Sequence, residues 1–305
     1  MKASHARKLI QPITPSYTEM FSGRVFQVGK GAVSVRNHSG EARHTVIGLH
    51  GFLENHCYFT QLYQEPTTEL VLVTCSNYHI PVSGPVVEIP DWERAIKHPE
   101  ATIEYDAQIL IQAMDNLLSS DQVRVHGHSR GGAVILEAAK QRPELFRDVD
   151  VVLEAPVLPQ GQLHPLVTAM LEPISHGMWP WLVRAINSTP SSAYGQAFFG
   201  RMNPRKKKLL TKMFTATRDH LTIVRNLENI LAWMEKAGTE YYEPIRHGTI
   251  LLPRVDRILD RGAMKRSAEF SANAVRLIET QAGSHFITLD DASWSPPLEA
   301  TPRVA

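Results

Sequence analysis

The sequence predicts an α/β fold, in which a mostly parallel sheet is flanked by helices and a helical block is inserted late in the chain. Several short runs are apolar throughout, which is typical of strands that are buried on both faces of a parallel sheet. The segments between them place apolar residues three and four positions apart, which indicates amphipathic helices. Strands that alternate with helices in this way define the α/β class.

The first half of the chain supplies most of the strands. Residues 1–23 contain prolines and no regular period, and we expect them to form an N-terminal arm. The predicted strands of this half cover residues 25–28, 32–35, 45–49, 70–73, 123–126 and 149–153. The first two flank a glycine-containing turn and predict a hairpin. Helices are predicted for residues 103–118 and 132–140.

A block without convincing strands interrupts this alternation. Between residues 157 and 246 the periodicity is helical only, and strands resume at residues 249–252 and 275–278. We therefore expect an α/β core formed by residues 24–156 and 247–305, with residues 157–246 as an all-helical insertion.

The composition limits the possible functions. The 305 residues carry 32 Lys and Arg against 31 Asp and Glu, a net charge of +1, whereas proteins that bind nucleic acid through charge carry a basic excess. No apolar run approaches the roughly 18 residues of a membrane-spanning helix, and no signal-peptide pattern is present at the N-terminus. We expect no nucleic-acid partner, no stable membrane insertion and a cytoplasmic location.

The sequence predicts neither a metal nor a cofactor. Two cysteines, Cys57 and Cys75, are too few for a disulfide framework or a four-cysteine metal site, and we expect buried thiols. His126 and His128 form a His-x-His pair that lacks a third ligand group. The phosphate-binding pattern Gly-x-x-x-x-Gly-Lys-Ser/Thr is absent.

Residues 127–131 carry the pattern Gly-x-Ser-x-Gly between a predicted strand and a predicted helix. A serine on such a sharp turn presents its hydroxyl, and the flanking glycines avoid collisions of side chains with the strand and the helix. A serine hydroxyl is a poor nucleophile unless a histidine takes its proton and a carboxylate orients that histidine. The pattern therefore predicts Ser129 as the nucleophile of a serine–histidine–acid triad.

The remaining triad members are predicted from their positions after the late strands. His285 follows the last predicted strand and is the predicted base. Asp256 lies four residues after Leu252, where the preceding strand ends, and is the predicted acid. Asp260 and Glu154, which ends an earlier strand, remain alternative acids.

In these motifs the chain resembles the α/β-hydrolase superfamily of serine esterases and lipases, over about residues 24–290. The resemblance depends on the serine turn, on the spacing of Asp256 and His285, and on residues 50–52, His-Gly-Phe, which are similar to the oxyanion loop of the family. It implies the α/β-hydrolase fold, with the helical block 157–246 as a lid over the active site.

The resemblance also implies a role for each motif residue. Ser129 is implied as the nucleophile, Asp256 as the acid and His285 as the base. The backbone N–H groups of Phe52 and Arg130 are implied as the oxyanion hole. The chain departs from the family in having a proline before the acid, where glycine is usual, and only a weak pattern for the final helix.

Five residues are predicted to contact the substrate. His50, Gly51 and His128 lie beside the predicted oxyanion loop and nucleophile, and Trp179 and Trp181 form an apolar, aromatic part of the insertion. Substrate pockets are lined mostly by apolar and aromatic groups. The two tryptophans are therefore candidates for the wall of an acyl pocket, with packing inside the insertion as the alternative.

These features predict a serine hydrolase that cleaves small-molecule esters with an apolar acyl chain through an acyl-enzyme. An acyltransferase or thioesterase that uses the same triad is one alternative, and a non-catalytic protein that binds a hydrophobic ligand is another. A nearly neutral chain has no long-range field to hold a strongly charged substrate. The oligomeric state is left open.

A basic run at residues 205–208 begins a predicted helix of the insertion. We interpret it as a solvated face, with docking to an anionic membrane as the alternative. Cations at a helix N-terminus are mildly unfavourable, so the run requires a further reason.

Overall fold

The structure is a computed structural model of the chain, and it describes residues 12–15, 17–171, 196, 198–211, 213–271 and 275–298. Part of the predicted N-terminal arm and part of the predicted insertion lie outside these residues. Of the helices in the described part of the chain, none is long and apolar enough to cross a membrane.

A nine-stranded sheet lies at the centre of the fold. The described part of the chain contains eleven strands, of which nine form this sheet: β1 (Glu19–Met20), β2 (Gly23–Val28), β3 (Gly31–Arg36), β4 (His44–Leu49), β5 (Thr68–Thr74), β6 (Val82–Ser83), β7 (Val87–Glu88), β8 (Val123–His128), β9 (Asp150–Glu154), β10 (His247–Leu252) and β11 (Val275–Glu279). Their order in the sheet is β11-β10-β9-β8-β4-β5-β3-β2-β7, and β1 pairs with β6 separately.

The sheet is mostly parallel, which confirms the predicted α/β class. Strand β8 pairs in parallel with β4 on one side and β9 on the other, and β10 and β11 continue the parallel part. Strands β2 and β3 form the predicted hairpin and are antiparallel. Because β4, β8, β10 and β11 run in the same direction, the loops after them meet at one edge of the sheet.

Seven α-helices lie in the described part of the chain. They are α1 (Ile103–Asn116), α2 (Arg130–Gln141), α3 (Pro165–Leu171), α4 (Pro204–Leu210), α5 (His220–Lys236), α6 (Arg261–Glu269) and α7 (Ile287–Asp290). Thr102 caps α1, Asn203 caps α4 and Asp219 caps α5, each through a side-chain oxygen that accepts a backbone N–H. The final helix that the resemblance implies is α7, which has only four residues.

The described part of residues 157–246 contains helices α3, α4 and α5 and no regular strand. Helix α5 packs against the core rather than apart from it. Trp233 is buried in the main apolar cluster, and its Nε1–H donates to Glu137 of α2 at 3.0 Å. Asn229 accepts the first N–H of α1, from Ile103, at 2.7 Å. This part of the predicted insertion therefore shares the hydrophobic core.

Candidate active site

Ser129 lies on the turn between strand β8 and helix α2 with a φ of 53° and a ψ of −119°. This backbone conformation is costly for a residue with a side chain and persists only where neighbours enforce it. Its N–H donates to Glu154 O at 2.9 Å, and its carbonyl accepts Val157 N–H at 2.9 Å. A Cβ atom on Gly127 would lie 2.6 Å from the backbone of Gly131. The flanking glycines therefore make this tight turn possible.

His285 and Asp256 form a buried hydrogen-bonded pair. The Nδ1–H of His285 donates to Asp256 Oδ2 at 2.6 Å, and the other carboxylate oxygen accepts the N–H groups of Ile258 at 2.8 Å and Leu259 at 2.9 Å. These bonds hold the carboxylate and the imidazole in one orientation. Because Nδ1 carries the proton, Nε2 of the neutral ring has a free lone pair, and it has no hydrogen-bond partner among the described residues.

The pair lies next to the serine turn. The ring of His285 is 4.9 Å from the ring of His128, the residue before Ser129. The described contacts contain no hydrogen bond between His285 Nε2 and the hydroxyl of Ser129. Such bonds are often long in unliganded enzymes and shorten in the substrate complex.

Glu154, one alternative acid, is saturated by other donors. It accepts hydrogen bonds from Tyr58 O–H at 2.6 Å, from Thr288 N–H at 2.7 Å and from the His126 ring at 3.1 Å. Burial alone would raise its pKa, but the hydrogen bond from His126, the nearby ring of His128 and the hydrogen bond from Tyr58 lower the pKa to about 2. The carboxylate is thus ionised and fully occupied, and it does not contact His285.

Asp260, the other alternative acid, caps helix α6 by accepting the N–H of Ala263 at 2.6 Å. It has no contact with His285 either. The structure therefore brings Asp256 to the predicted base, and neither Glu154 nor Asp260.

The backbone N–H groups of the loop after strand β4 differ in their partners. Gly51 N–H donates to Glu54 Oε2 at 2.9 Å, Leu53 N–H to Tyr78 Oη at 3.2 Å, and Glu54 N–H to Gly51 O at 3.3 Å. The N–H of Phe52 is left without an acceptor in the described part of the chain. A donor in this position is available for a negatively charged oxygen.

A second free donor lies close to the first. Arg130 is the first residue of helix α2, so its N–H has no partner within the helix. The loop of Phe52 and the serine turn are in contact, because a Cβ atom on Gly51 would lie 2.8 Å from Cβ of Ser129. Arg130 thus follows Ser129 in sequence, and Phe52 follows the glycine that contacts it.

The predicted substrate contacts have different surroundings. His50 is fully buried. Its Nδ1–H donates to Gly51 O at 2.9 Å, and its Nε2 accepts Cys75 N–H at 3.2 Å. Both ring nitrogens are thus occupied within the protein, and burial lowers the pKa of the ring. Trp179 and Trp181 lie outside the described residues.

His128 is also fully buried, and its partner Glu54 is a residue that the sequence did not point to. His128 Nδ1 is 2.8 Å from Glu54 Oε2, and Nε2 is 3.1 Å from the backbone oxygen of His285. Glu54 belongs to no recognisable motif, and it is separated from His128 by 74 positions. Its distance in sequence explains why no local pattern identified it.

The interpretation of the basic run as a solvated face is wrong for Arg205 and Lys206, the first two residues of the run. Arg205 pairs with Glu19 of strand β1 at 2.6 Å. The Lys206 side chain is 0% exposed, and its Nζ donates to Ser284 Oγ at 2.7 Å and to Asp290 at 2.6 Å. Both cations are retained in helix α4 because carboxylates lie opposite them. Lys206 ties this helix to the loop that carries the predicted base.

Comparisons with known proteins agree with this architecture. The model of the alpha/beta hydrolase family matches residues 46–294. No curated protein matched the sequence. The fold is similar to that of the esterase EaEST from Exiguobacterium antarcticum, with a TM-score of 0.63 and 16% identity, over 89% of this chain and 95% of that chain.

Two further solved structures have a similar fold. One is a bromoperoxidase from Bacillus anthracis, with a TM-score of 0.63 and 15% identity, over 89% of this chain and 96% of that chain. Another is the carboxylesterase CesB from Bacillus subtilis, with a TM-score of 0.56 and 12% identity, over 95% of this chain and 91% of that chain. At these identities the similarity concerns the fold alone.

Proposed function

The chain belongs to the alpha/beta hydrolase family and is a hydrolase, and on that basis we propose that it cleaves carboxylic esters with an apolar acyl chain through a Ser129–His285–Asp256 triad. The observation that carries the proposal is the His285–Asp256 hydrogen bond of 2.6 Å, which leaves Nε2 free beside the serine turn. A carboxylate that fixes the tautomer of a histidine next to a serine is the arrangement that nucleophilic acyl transfer requires.

In the acylation half of the reaction, Ser129 Oγ attacks the ester carbonyl, and Nε2 of His285 takes the proton of the Ser129 hydroxyl. The carbonyl oxygen becomes negatively charged and accepts the free N–H groups of Phe52 and Arg130. The imidazolium is stabilised by Asp256. Its Nε2 proton then passes to the oxygen of the leaving alcohol, and the C–O bond breaks to give an acyl-enzyme.

In the second half, water replaces the alcohol. His285 takes a proton from the water as it attacks the acyl carbonyl, and the same two N–H groups accept the negative oxygen. The proton returns to the oxygen of Ser129 as the acid leaves. An acyltransferase would use an alcohol or an amine in place of water, so product analysis in the presence of added alcohol distinguishes the two reactions.

The proposed preference for apolar acyl groups rests on the surroundings of Phe286, which follows the predicted base. Leu209 and Leu210 of helix α4, Met213 after it and Leu289 form the apolar side of a small cavity together with Phe286, and its polar side is formed by Glu54, Asn55 and Tyr58. Apolar walls bind an acyl chain by burial, at roughly 0.8 kcal/mol per methylene. Two further methylenes would therefore raise kcat/KM about tenfold while the pocket has room.

The experiment that tests the proposal is reaction with a fluorophosphonate, read as intact mass. The unmodified protein gains one adduct, and Ser129→Ala gains none. Ser39→Ala, which changes an exposed serine of a turn, serves as the control and labels normally. Equal labelling of Ser129→Ala and the parent would refute the proposed nucleophile. A panel of p-nitrophenyl esters then tests the acyl preference, and acetate as the best substrate would refute it.

A further inference from the structure

The side chain of His128 joins two loops of the candidate active site. It is fully buried, with Nδ1 2.8 Å from Glu54 Oε2 and Nε2 3.1 Å from the backbone oxygen of His285. A carbonyl oxygen and an ionised carboxylate can only accept hydrogen bonds. Both ring nitrogens therefore carry protons in this arrangement, and His128 is an imidazolium.

The two partners of His128 belong to different parts of the site. The oxygen Oε2 of Glu54 also accepts Gly51 N–H, at 2.9 Å, so this carboxylate fixes the loop that presents Phe52. The other partner is the backbone of His285 itself. His128 is also the residue before Ser129 in the chain. Its ring therefore connects the loop of Phe52 and the loop of His285 to the proposed nucleophile.

The surroundings of His128 retain its proton. Burial alone would lower its pKa, but the carboxylate of Glu54, and more weakly that of Glu154, raise the pKa to about 9. The ring of Tyr58 stacks on the ring of His128, with 4.4 Å between the ring centroids. The Tyr58 hydroxyl donates to Glu154 at 2.6 Å. The titratable groups that face His128 are Glu54, Tyr58, His126, Glu154 and His285.

We propose that His128 is a positioning residue, whose doubly protonated ring holds the Phe52 loop and the His285 loop in register for catalysis, and that activity falls when the ring loses a proton at alkaline pH. This inference rests on the proposed function. A neutral ring has one protonated nitrogen and one lone pair. The lone pair would face either Glu54 or the His285 carbonyl, and the hydrogen bond to that partner would be lost. The loop on the affected side would then shift relative to Ser129.

Glu54→Gln is the most direct test, because it removes the charge and keeps an oxygen for Gly51 N–H. In the native contacts one oxygen, Oε2, accepts both Gly51 N–H and His128 Nδ1–H. A neutral His128 that keeps its Nε2–H on the His285 carbonyl needs a donor at Nδ1, and the amide cannot both donate to Nδ1 and accept Gly51 N–H from that one position. We therefore expect the alkaline limb of the labelling rate to move at least one pH unit lower, while the acid limb stays in place.

Glu69→Gln is the matched control. Glu69 is also buried and accepts Thr45 Oγ1–H at 3.1 Å, but it lies at the opposite end of strand β5 from the candidate site. At pH 9, a shift of one pH unit should make the fluorophosphonate label Glu54→Gln about fivefold more slowly than the parent, whereas Glu69→Gln should be labelled at the rate of the parent. An unshifted alkaline limb in Glu54→Gln would overturn the inference.

His128→Gln provides a second test. The glutamine amide can still donate to the His285 carbonyl but cannot titrate, so labelling should be slower than in the parent and should lack the alkaline limb. A parental alkaline limb in this variant would assign that limb to another group. Failure of the unmodified protein to label at Ser129 would overturn the proposed function and this inference together, whereas labelling at Ser129 with unshifted limbs in the variants would overturn this inference alone.

Discussion

Substitution of Gly131 by alanine would separate the serine turn from the loop that follows strand β4. A Cβ atom at this position would lie 2.9 Å from the carbonyl carbon of Leu49, the last residue of that strand, and closer still to its oxygen. Both are backbone atoms, so no side-chain rotation relieves the contact. Either helix α2 or the end of strand β4 must move.

The size of the movement follows from the distances. Ordinary contact begins at 3.4 Å, so the carbon alone requires a shift of about 0.5 Å, and the closer oxygen brings the shift towards about 1 Å. A misplacement of about 1 Å lowers catalytic rates about 100-fold. Forcing a methyl group into a packed site costs about 1–3 kcal/mol of folding free energy. We therefore expect kcat/KM to fall about 100-fold while the chain remains folded.

The assay is kcat/KM for a p-nitrophenyl ester together with urea unfolding, in Gly131→Ala and in Gly262→Ala. Gly262 lies exposed in helix α6, where a Cβ atom would meet only side-chain atoms of Arg266 and Asp260 at 3.2 and 3.3 Å. Alanine there should leave activity unchanged and stabilise the helix by about 0.5–1 kcal/mol. Parental activity in a folded Gly131→Ala protein would refute the argument that this close approach aligns Ser129 with Phe52.

Three further changes test other contacts. Asp256→Asn removes the carboxylate that orients His285 and fixes its tautomer, and we expect turnover to fall at least 1,000-fold with an unchanged circular dichroism spectrum. A near-normal rate would show that another residue is the acid. Lys206→Met leaves Asp290 partly buried without its cation, which should lower the free energy of unfolding by about 3 kcal/mol in urea, whereas a loss below about 1 kcal/mol would contradict the buried ion pair. The pKa of His128, raised from 6.5 to about 9, makes its contribution to the free energy of unfolding complete below pH 6.5 and lost as the pH rises through 9; in Glu54→Gln this loss should occur at least one pH unit lower in the unfolding curves.

Features that depend on neighbours in sequence could be predicted from the sequence. The helix expected at 103–118 is Ile103–Asn116, and the strand expected at 149–153 is Asp150–Glu154. The serine turn was recognisable because strand, glycines and helix are contiguous. The two-residue strands β1, β6 and β7 were not, since two residues carry no period.

Features that depend on distant partners could not be predicted. The charge of Lys206 predicts a position in solvent. Its partner Asp290 lies 84 positions later, so no local pattern indicates the buried pair. The family order predicts the contact of Asp256 with His285, but no local pattern predicts that Glu154 accepts four buried hydrogen bonds from distant segments. Pairings between distant segments come from the fold rather than from local pattern.

The packing of helix α5 against the core determines where the chain could be recombined with a homologue. Trp233 fills the space beside helix α2, and Asn229 completes the first turn of helix α1. A chimera that replaced residues 157–246 as a cassette would discard these partners and leave both core helices incomplete. A breakpoint before Asp219, the cap of α5, would retain both of these partners and exchange only the segment ahead of them.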